Sequence, residues 1–514
     1  MSKEKISIVW FKKDLRINDN LALISSSETN LPVLPLYIFE TDYWNQDFAS
    51  QRHWKFIHDC LIDLNKDLKK IGQSLIIRIG AANNIFENII KNYDIQSVFA
   101  HQETGNSWTY KRDKDIRILL KKNRILFKEF PNNGVVRGLK DRNDWSKIRN
   151  SRMYKDNFES PLNLIPINNI ISDHLPNKEN KFLKNKSNGI TQKGGRVEGL
   201  KILNSFLNER SKYYLKNLSK PEHSVDSSSR LSPFLSNGVL SVKEIINEYR
   251  KRKESNFSNS NVKGLKRNIS AFNSRLSWRC HFIQKLEDQP DIEFKSMHSA
   301  YEGIRDNFNN EFFFKSWMEG KTGFPIVDAC MRSLIKTGWL PFRMRAMLVS
   351  FASYNLLIDW KKSGTYLAKL FTDFEPGIHY SQMQMQSGVT GINAVRIYNP
   401  IKQSYDQDPE GTYIRKWVDE LRFVHKAYIH EPWKMSSDLQ EKFKCKIGTD
   451  YPNPIIDQKE SSKFAKNLIY SVRKSKNFKE NSAKVFNKLG SRKNISSKKR
   501  VSQMKNKDQL SLID

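Results

Sequence analysis

The chain has 514 residues, 38% of them hydrophobic and 28% charged, with 87 Lys and Arg against 55 Asp and Glu and a formal charge of +32. That length exceeds one ordinary domain and supports two real cores, while 22 Gly and 17 Pro are too few for a disordered protein. No run of eighteen apolar residues and no basic, apolar, small leader pattern is present, which argues against a membrane-spanning helix or a secretory signal and sets the expectation of a cytoplasmic protein. The positive balance favours a polyanionic partner, nucleic acid ahead of a membrane surface, although part of the Lys excess accompanies a general richness in Asn and Ile. Cys60, Cys280, Cys330 and Cys445 are scattered with no CxxC pair, which argues against a disulfide framework and against a Cys-ligated zinc or iron–sulfur site; no metal is expected.

In chain order, Ile6 to Phe11, Val33 to Phe39, Leu75 to Gly80, Ser97 to His101 and Ile125 to Phe130 read as strands, with helices over Trp54 to Ile71 and Asn83 to Tyr93. This rhythm predicts an α/β domain over 1–135, doubly wound around a parallel sheet, with ligands beyond the C-terminal ends of the strands. Neither GxGxxG nor GxxxxGK[ST] occurs, so a Rossmann dinucleotide or P-loop nucleotide has no support in this domain. An Asn, Pro and Lys-rich stretch makes 136–193 an interdomain connector. Helical patterns (Val197 to Lys212, Val242 to Lys253, Val262 to Leu286) open an all-α domain over 194–457. In the remaining 458–514, helical spacing persists from Ser461 to Gly490, and the basic last twenty or so residues read as a disordered tail.

The most informative stretch runs from Trp317 to Gly388. Apolar spacing predicts a helix through Ile326 to Ile335 and a second from Met344 to Trp360, near which lie the cations Arg343 and Arg345. Buried cations need partners, and Asp373 and Glu375 follow downstream. On the residues alone, this is either a structural ion pair in a bundle or part of a site.

Several segments together settle the matter of kinship. They are VWFKKDLRINDNLAL (9–23), SSRLSPFLSNGVLSVKEI (228–245), NSRLSWRCHFIQ (273–284), WMEGKTGFPIVDACMRSLIKTGWLPFRMRAM (317–347), LLIDW (356–360), RIYNP (396–400), DPEGTYIRKWVDEL (408–421) and HEPWKM (430–435). In this order they resemble the photolyase/cryptochrome superfamily. The resemblance implies an α/β domain able to hold an antenna chromophore of pterin, deazaflavin or flavin type, and a helical domain that buries FAD. It also implies blue-light electron transfer from reduced flavin to a pyrimidine lesion flipped out of damaged single- or double-stranded DNA. By position, Arg345 and Asp373 match the ion pair at the flavin, Arg279, Glu375 and His379 match further flavin-side positions, and Ser228, Ser229 and Leu231 match the diphosphate segment. Trp278 matches the aromatic wall for the lesion. Glu103, after the 97–101 strand, matches the antenna cleft.

The departures are as informative. Arg275 stands where cyclobutane-dimer photolyases carry a lesion-binding Glu, and a cation cannot accept that bond. Phe342 replaces an Asn, Ala346 a Met, and Met383 and Met385 the WxW pair. Of the tryptophan relay, Trp360 keeps the middle position, while Met383 and Asn307 fall at the other two. His379 stands near the Asn that faces flavin N5, with a titration range suited to a pH response. The expectation is a monomeric repair enzyme of altered lesion preference, free of membrane association. The alternatives are a cryptochrome-type photoreceptor without repair, or a nucleic-acid-binding flavoprotein with no photochemistry.

Overall fold

The computed structural model of the chain describes residues 3–187, 189–256, 263–308 and 310–492; the tail expected to be disordered lies outside these residues beyond Arg492. Five strands, β1 (Lys5–Phe11), β2 (Val33–Phe39), β3 (Ile76–Ile79), β4 (Asp94–His101) and β5 (Leu126–Phe130), form one parallel sheet in the order β3-β2-β1-β4-β5. Every residue of β2, VLPLYIF, is buried, as a parallel strand covered on both faces demands. The order reverses between β1 and β4, so the crevice outside their C-terminal ends is where such a sheet takes a ligand.

The helix expected from Trp54 begins earlier, at Gln51, because Ser50 and His53 form a capping box in which the imidazole takes the place of a carboxylate: the Ser50 N–H donates to His53 Nδ1 at 3.2 Å. Within the connector, periodicity did not single out the helix Trp145–Met153. From Arg196 onward the described residues are helical or irregular, without strands.

Two expectations need correction. The helix predicted from Met344 to Trp360 is two helices. Phe342–Ser350 passes into a wide π turn over Phe351–Asn355, Leu357 takes φ 54°, and Asp359 caps a new helix, Trp360–Leu370, by accepting from the Lys361 N–H at 2.8 Å. Trp360 is therefore the first residue of a helix rather than the last. The pattern over Ser461 to Gly490 likewise divides into Gln458–Val472 and Phe478–Leu489.

Buried arginines tie the sheet to the helical region. Arg16 donates to the Gly238 carbonyl at 2.7 Å and to Asn132 Oδ1 at 2.9 Å, and Arg52 donates to the carbonyls of Ile190 and Ile335, both at 2.6 Å. Gly238 (φ 61°) meets the β1 loop so closely that a Cβ would lie 2.1 Å from the Lys13 carbonyl oxygen. The segment 228–245 is thereby pressed against the loop that follows β1. Among the described residues, no helix is long and apolar enough to cross a membrane.

Candidate functional site

The loop from Phe371 to Glu375 and the helix Pro376–Ser387 that follows it collect the sequence-predicted charges. Arg345, on Phe342–Ser350, forks onto Asp373 with Nη1–Oδ1 2.9 Å and Nη2–Oδ2 3.0 Å, and its Nε donates to the Leu340 carbonyl at 2.8 Å. Its guanidinium also lies 4.2 Å from the centre of the Phe371 ring. Burial pushes the Asp373 carboxyl up, but Arg345 outweighs it and holds Asp373 below its ordinary value. The pair is locked by geometry and neutral overall.

Arg279, on Lys263–Asp288, reaches the same loop. Its Nη2 donates to Glu375 Oε2 at 2.8 Å and to the Leu235 carbonyl at 3.0 Å. Arg279 Nε and Glu375 Oε1 remain buried without a partner, one donor and one acceptor. Single unpartnered atoms also occur on structural side chains such as Arg16 and Arg52, but a donor and an acceptor left open on one ion pair could be completed by a group able both to accept and to donate. An isoalloxazine ring, with carbonyl oxygens and an imide N–H, has that donor set. The segment 228–236 joins through Leu235 and through the Ser232 hydroxyl, which contributes to the depression of Asp373. Ser228 and Ser229 give their backbone carbonyls to Arg210, Leu231 is fully buried, and the Leu231 N–H has only a 3.5 Å contact with Ser229 Oγ. Arg230, between Ser229 and Leu231, escaped the sequence reading. It takes φ 58° and lays its guanidinium 4.1 Å from the Trp339 ring centre, and burial pushes its pKa down to about 10.

His379 departs from expectation. It is buried, its Nε2 donates to the Gly364 carbonyl at 2.9 Å, and burial pushes its pKa down to about 4. The imidazole is therefore neutral across the physiological range and does not supply a pH response there; its Nδ1 remains as an acceptor. Trp360 is buried, with Nε1 3.4 Å from Ser296 Oγ.

Of the positions expected at the lesion, Trp278 and Phe342 lie toward solvent. Trp278 is 41% exposed and Phe342 50% exposed, while Met385 is half-buried and Ala346 buried. The Arg275 guanidinium lies over the Trp278 ring, 4.0 Å from its centre.

Glu103 belongs to the crevice at the sheet switch point. It does not cap the next helix, a task Asn106 performs by accepting from the Thr109 N–H at 3.2 Å. Instead Glu103 Oε2 accepts from Arg112 Nη2 at 2.5 Å. Lys13 lies between the two sites: burial alone would lower its pKa, but Glu375, then Tyr43 and Glu103, raise it. Lys13 sits inside the KKDLR motif, so its signal was present in the sequence but undirected. Among the described residues, no group of three or more His, Cys, Asp or Glu is arranged to hold a metal.

Comparison with known proteins places this geometry. Residues 7–143 match the family model described as DNA photolyase, and residues 272–471 match the one described as the FAD binding domain of DNA photolyase. A deoxyribodipyrimidine photo-lyase of Alkalihalophilus pseudofirmus is 27% identical over 486 residues, 90% of this chain and 98% of that protein. A cryptochrome DASH of Gloeobacter violaceus is 25% identical, over 91% of this chain and 96% of its own. The solved structure of a bacterial class III photolyase from Agrobacterium tumefaciens superposes with a TM-score of 0.78 at 26% identity, over 92% of this chain and 99% of that one. By its two matched domains, their order and this fold, the chain belongs to the photolyase/cryptochrome superfamily.

Proposed function

We propose that the protein is a light-driven DNA-repair flavoenzyme of the deoxyribodipyrimidine photo-lyase type, acting on UV-induced pyrimidine lesions with an altered lesion preference. The observation that carries the reading is the convergence of Arg345–Asp373 and Arg279–Glu375, with one donor and one acceptor left free, on the domain that also exposes Trp278. FAD, when bound, supplies blue-light absorption and one-electron transfer. Arg345 offers positive potential beside the ring while Asp373 keeps the buried pair neutral, Arg279 Nε donates and Glu375 Oε1 accepts. Ser228, Ser229 and Leu231 form the segment for the diphosphate. The positive charge draws the protein to DNA phosphates with a strong dependence on salt. Trp278 offers an aromatic face to the extruded base, and stacking of about 1–3 kcal/mol per base offsets an extrusion cost of about a few kcal/mol. Arg275, already over that ring, either moves to a phosphate or stays as a cationic lid, and this is the residue we hold responsible for altered preference, together with Phe342 and Met385. We further propose that the protein works as a monomer.

The test is repair itself. Reduced holoprotein under blue light is given UV-irradiated single- and double-stranded oligonucleotides, and mass spectrometry reads the return of unmodified pyrimidines. Lesion loss in light and not in darkness is expected. A cryptochrome-type photoreceptor is the second reading, favoured by the cation that covers Trp278; it gains if neither DNA form is repaired while the flavin still responds to light.

A further inference from the structure

The crevice outside the C-terminal ends of β1 and β4 is the position at which a doubly wound sheet admits a ligand, and the fold family places an antenna ring there. In this chain a side chain stands in it. Arg112, on the helix Ser107–Lys122, lies near two indoles, with its guanidinium carbon 5.0 Å from the ring centre of Trp10 and 5.8 Å from that of Trp108. Its nitrogens reach Glu40 at 2.5 Å, Glu103 at 2.5 Å and Asp113 at 2.8 Å. A planar cation beside the Trp10 indole occupies surface that a planar chromophore would otherwise cover. Glu40 and Glu103, the two carboxylates that line the crevice, are already engaged.

The remaining space agrees with this. The crevice encloses about 70 Å³, against roughly 300–1,000 Å³ for sites that take cofactors or drug-sized ligands. To admit a ring, Arg112 must leave, and its departure strands buried Glu40 and Glu103, whose charge it offsets in part. The contrast with the flavin-side pocket is chemical: there Arg279 Nε and Glu375 Oε1 lack partners, whereas no atom of Arg112, Glu40 or Glu103 is a buried orphan.

We propose that Arg112 is a built-in plug of the α/β crevice, so that the protein carries no antenna chromophore and FAD is its sole light-absorbing group. This stands whether or not a lesion is repaired, because it concerns a different crevice and is read by binding.

The experiment takes the full-length holoprotein and measures its chromophores after heat release by chromatography and mass spectrometry. Equilibrium dialysis against FMN, a deazaflavin and methenyltetrahydrofolate follows. We expect one FAD per chain and no saturable uptake of any probe. Arg112→Ala should take up at least one probe to one per chain while keeping its FAD. If that variant fails to fold, as judged by lost FAD, Arg112→Ala combined with Glu40→Gln decides, since the pair of changes removes the plug together with the charge of one acid it leaves behind. A second chromophore at one per chain in the wild type overturns the proposal. So does a lack of uptake by whichever variant keeps its FAD.

Discussion

The two crevices of this protein are built from the same materials and have opposite states of satisfaction. In the helical domain, arginines and acids pair, yet Arg279 Nε and Glu375 Oε1 are left without partners. In the α/β domain, Arg112 meets three carboxylates and two indoles, and its cage is closed. Single unpaired buried atoms also occur on structural side chains such as Arg16, Arg52 and Trp317, each at a cost of about 1–3 kcal/mol; Arg279 and Glu375 differ in leaving a donor and an acceptor open on one ion pair. Density of charge therefore does not distinguish a ligand site from a structural cluster; a donor and an acceptor left open together on one ion pair do.

The largest effect should come from breaking the helical-domain pair. Arg345→Leu leaves Asp373 buried without its cation, and we expect loss of bound FAD with destabilisation of about 3–5 kcal/mol, read by flavin absorbance and by denaturant unfolding. Retention of full FAD would break the comparison on the flavin side.

A further buried cation, outside both crevices, sharpens it. Lys285 is 4% exposed, has no carboxylate ion-pair partner among the described residues, and burial pushes its pKa down to about 8. Below that value the folded state carries the charge at a cost, and the unfolded chain carries it freely up to about 10.4. The penalty is thus fully present below pH 8 and fades as pH rises towards the unfolded value. Lys285→Met should stabilise by about 1–3 kcal/mol at pH 7, and the gain should shrink between pH 8 and 10.5. An unpaired cation that costs stability without holding a ligand would show that orphaned charge alone is no mark of a site, and that a donor and acceptor together are needed.

A smaller effect concerns His379. With a folded pKa of about 4 and an unfolded one of about 6.5, the unfolded state binds the extra proton first as pH falls. Stability from the neutral imidazole is full above 6.5 and is lost progressively down to 4. The wild type should lose about 1–2 kcal/mol more than His379→Asn between pH 7 and 5, measured by urea unfolding at each pH. Equal losses would show that the imidazole is not held neutral by its burial and its bond to Gly364. The smallest expected change is in the electron route: Trp360→Phe should slow photoreduction of the flavin, and an unchanged rate would mean that electrons enter elsewhere.

Much of the fold was legible in sequence because each strand is a local run of Val, Ile, Leu and Phe; all five fall within a few residues of their predicted places, the largest gap being the start of β4 at Asp94. The need of Arg345 for an acid was legible for the same reason, since a cation among core residues is visible locally, although its fork onto Asp373 was not. The π turn at Phe351–Asn355 was hidden, because its residues are as apolar as those of a continuous helix. The commitment of His379 to the Gly364 carbonyl depends on two helices meeting, and no spacing records that. The Arg112 cage draws on two strands' ends and a helix from distant parts of the chain, so the sequence showed a Glu at the right place and gave no sign that it was already taken. Resemblance to photolyases pointed to Arg345, Asp373, Arg279 and Glu375 as a group; it did not point to Arg112.

The action spectrum of repair tests the account most directly. Reduced holoprotein and UV-irradiated oligonucleotides are illuminated band by band, and restored pyrimidines are counted per incident photon. The account predicts repair whose wavelength dependence follows the absorption of the bound, reduced FAD and nothing else. No repair at any wavelength would contradict the assigned activity, and a repair band where FAD does not absorb would contradict the closed crevice.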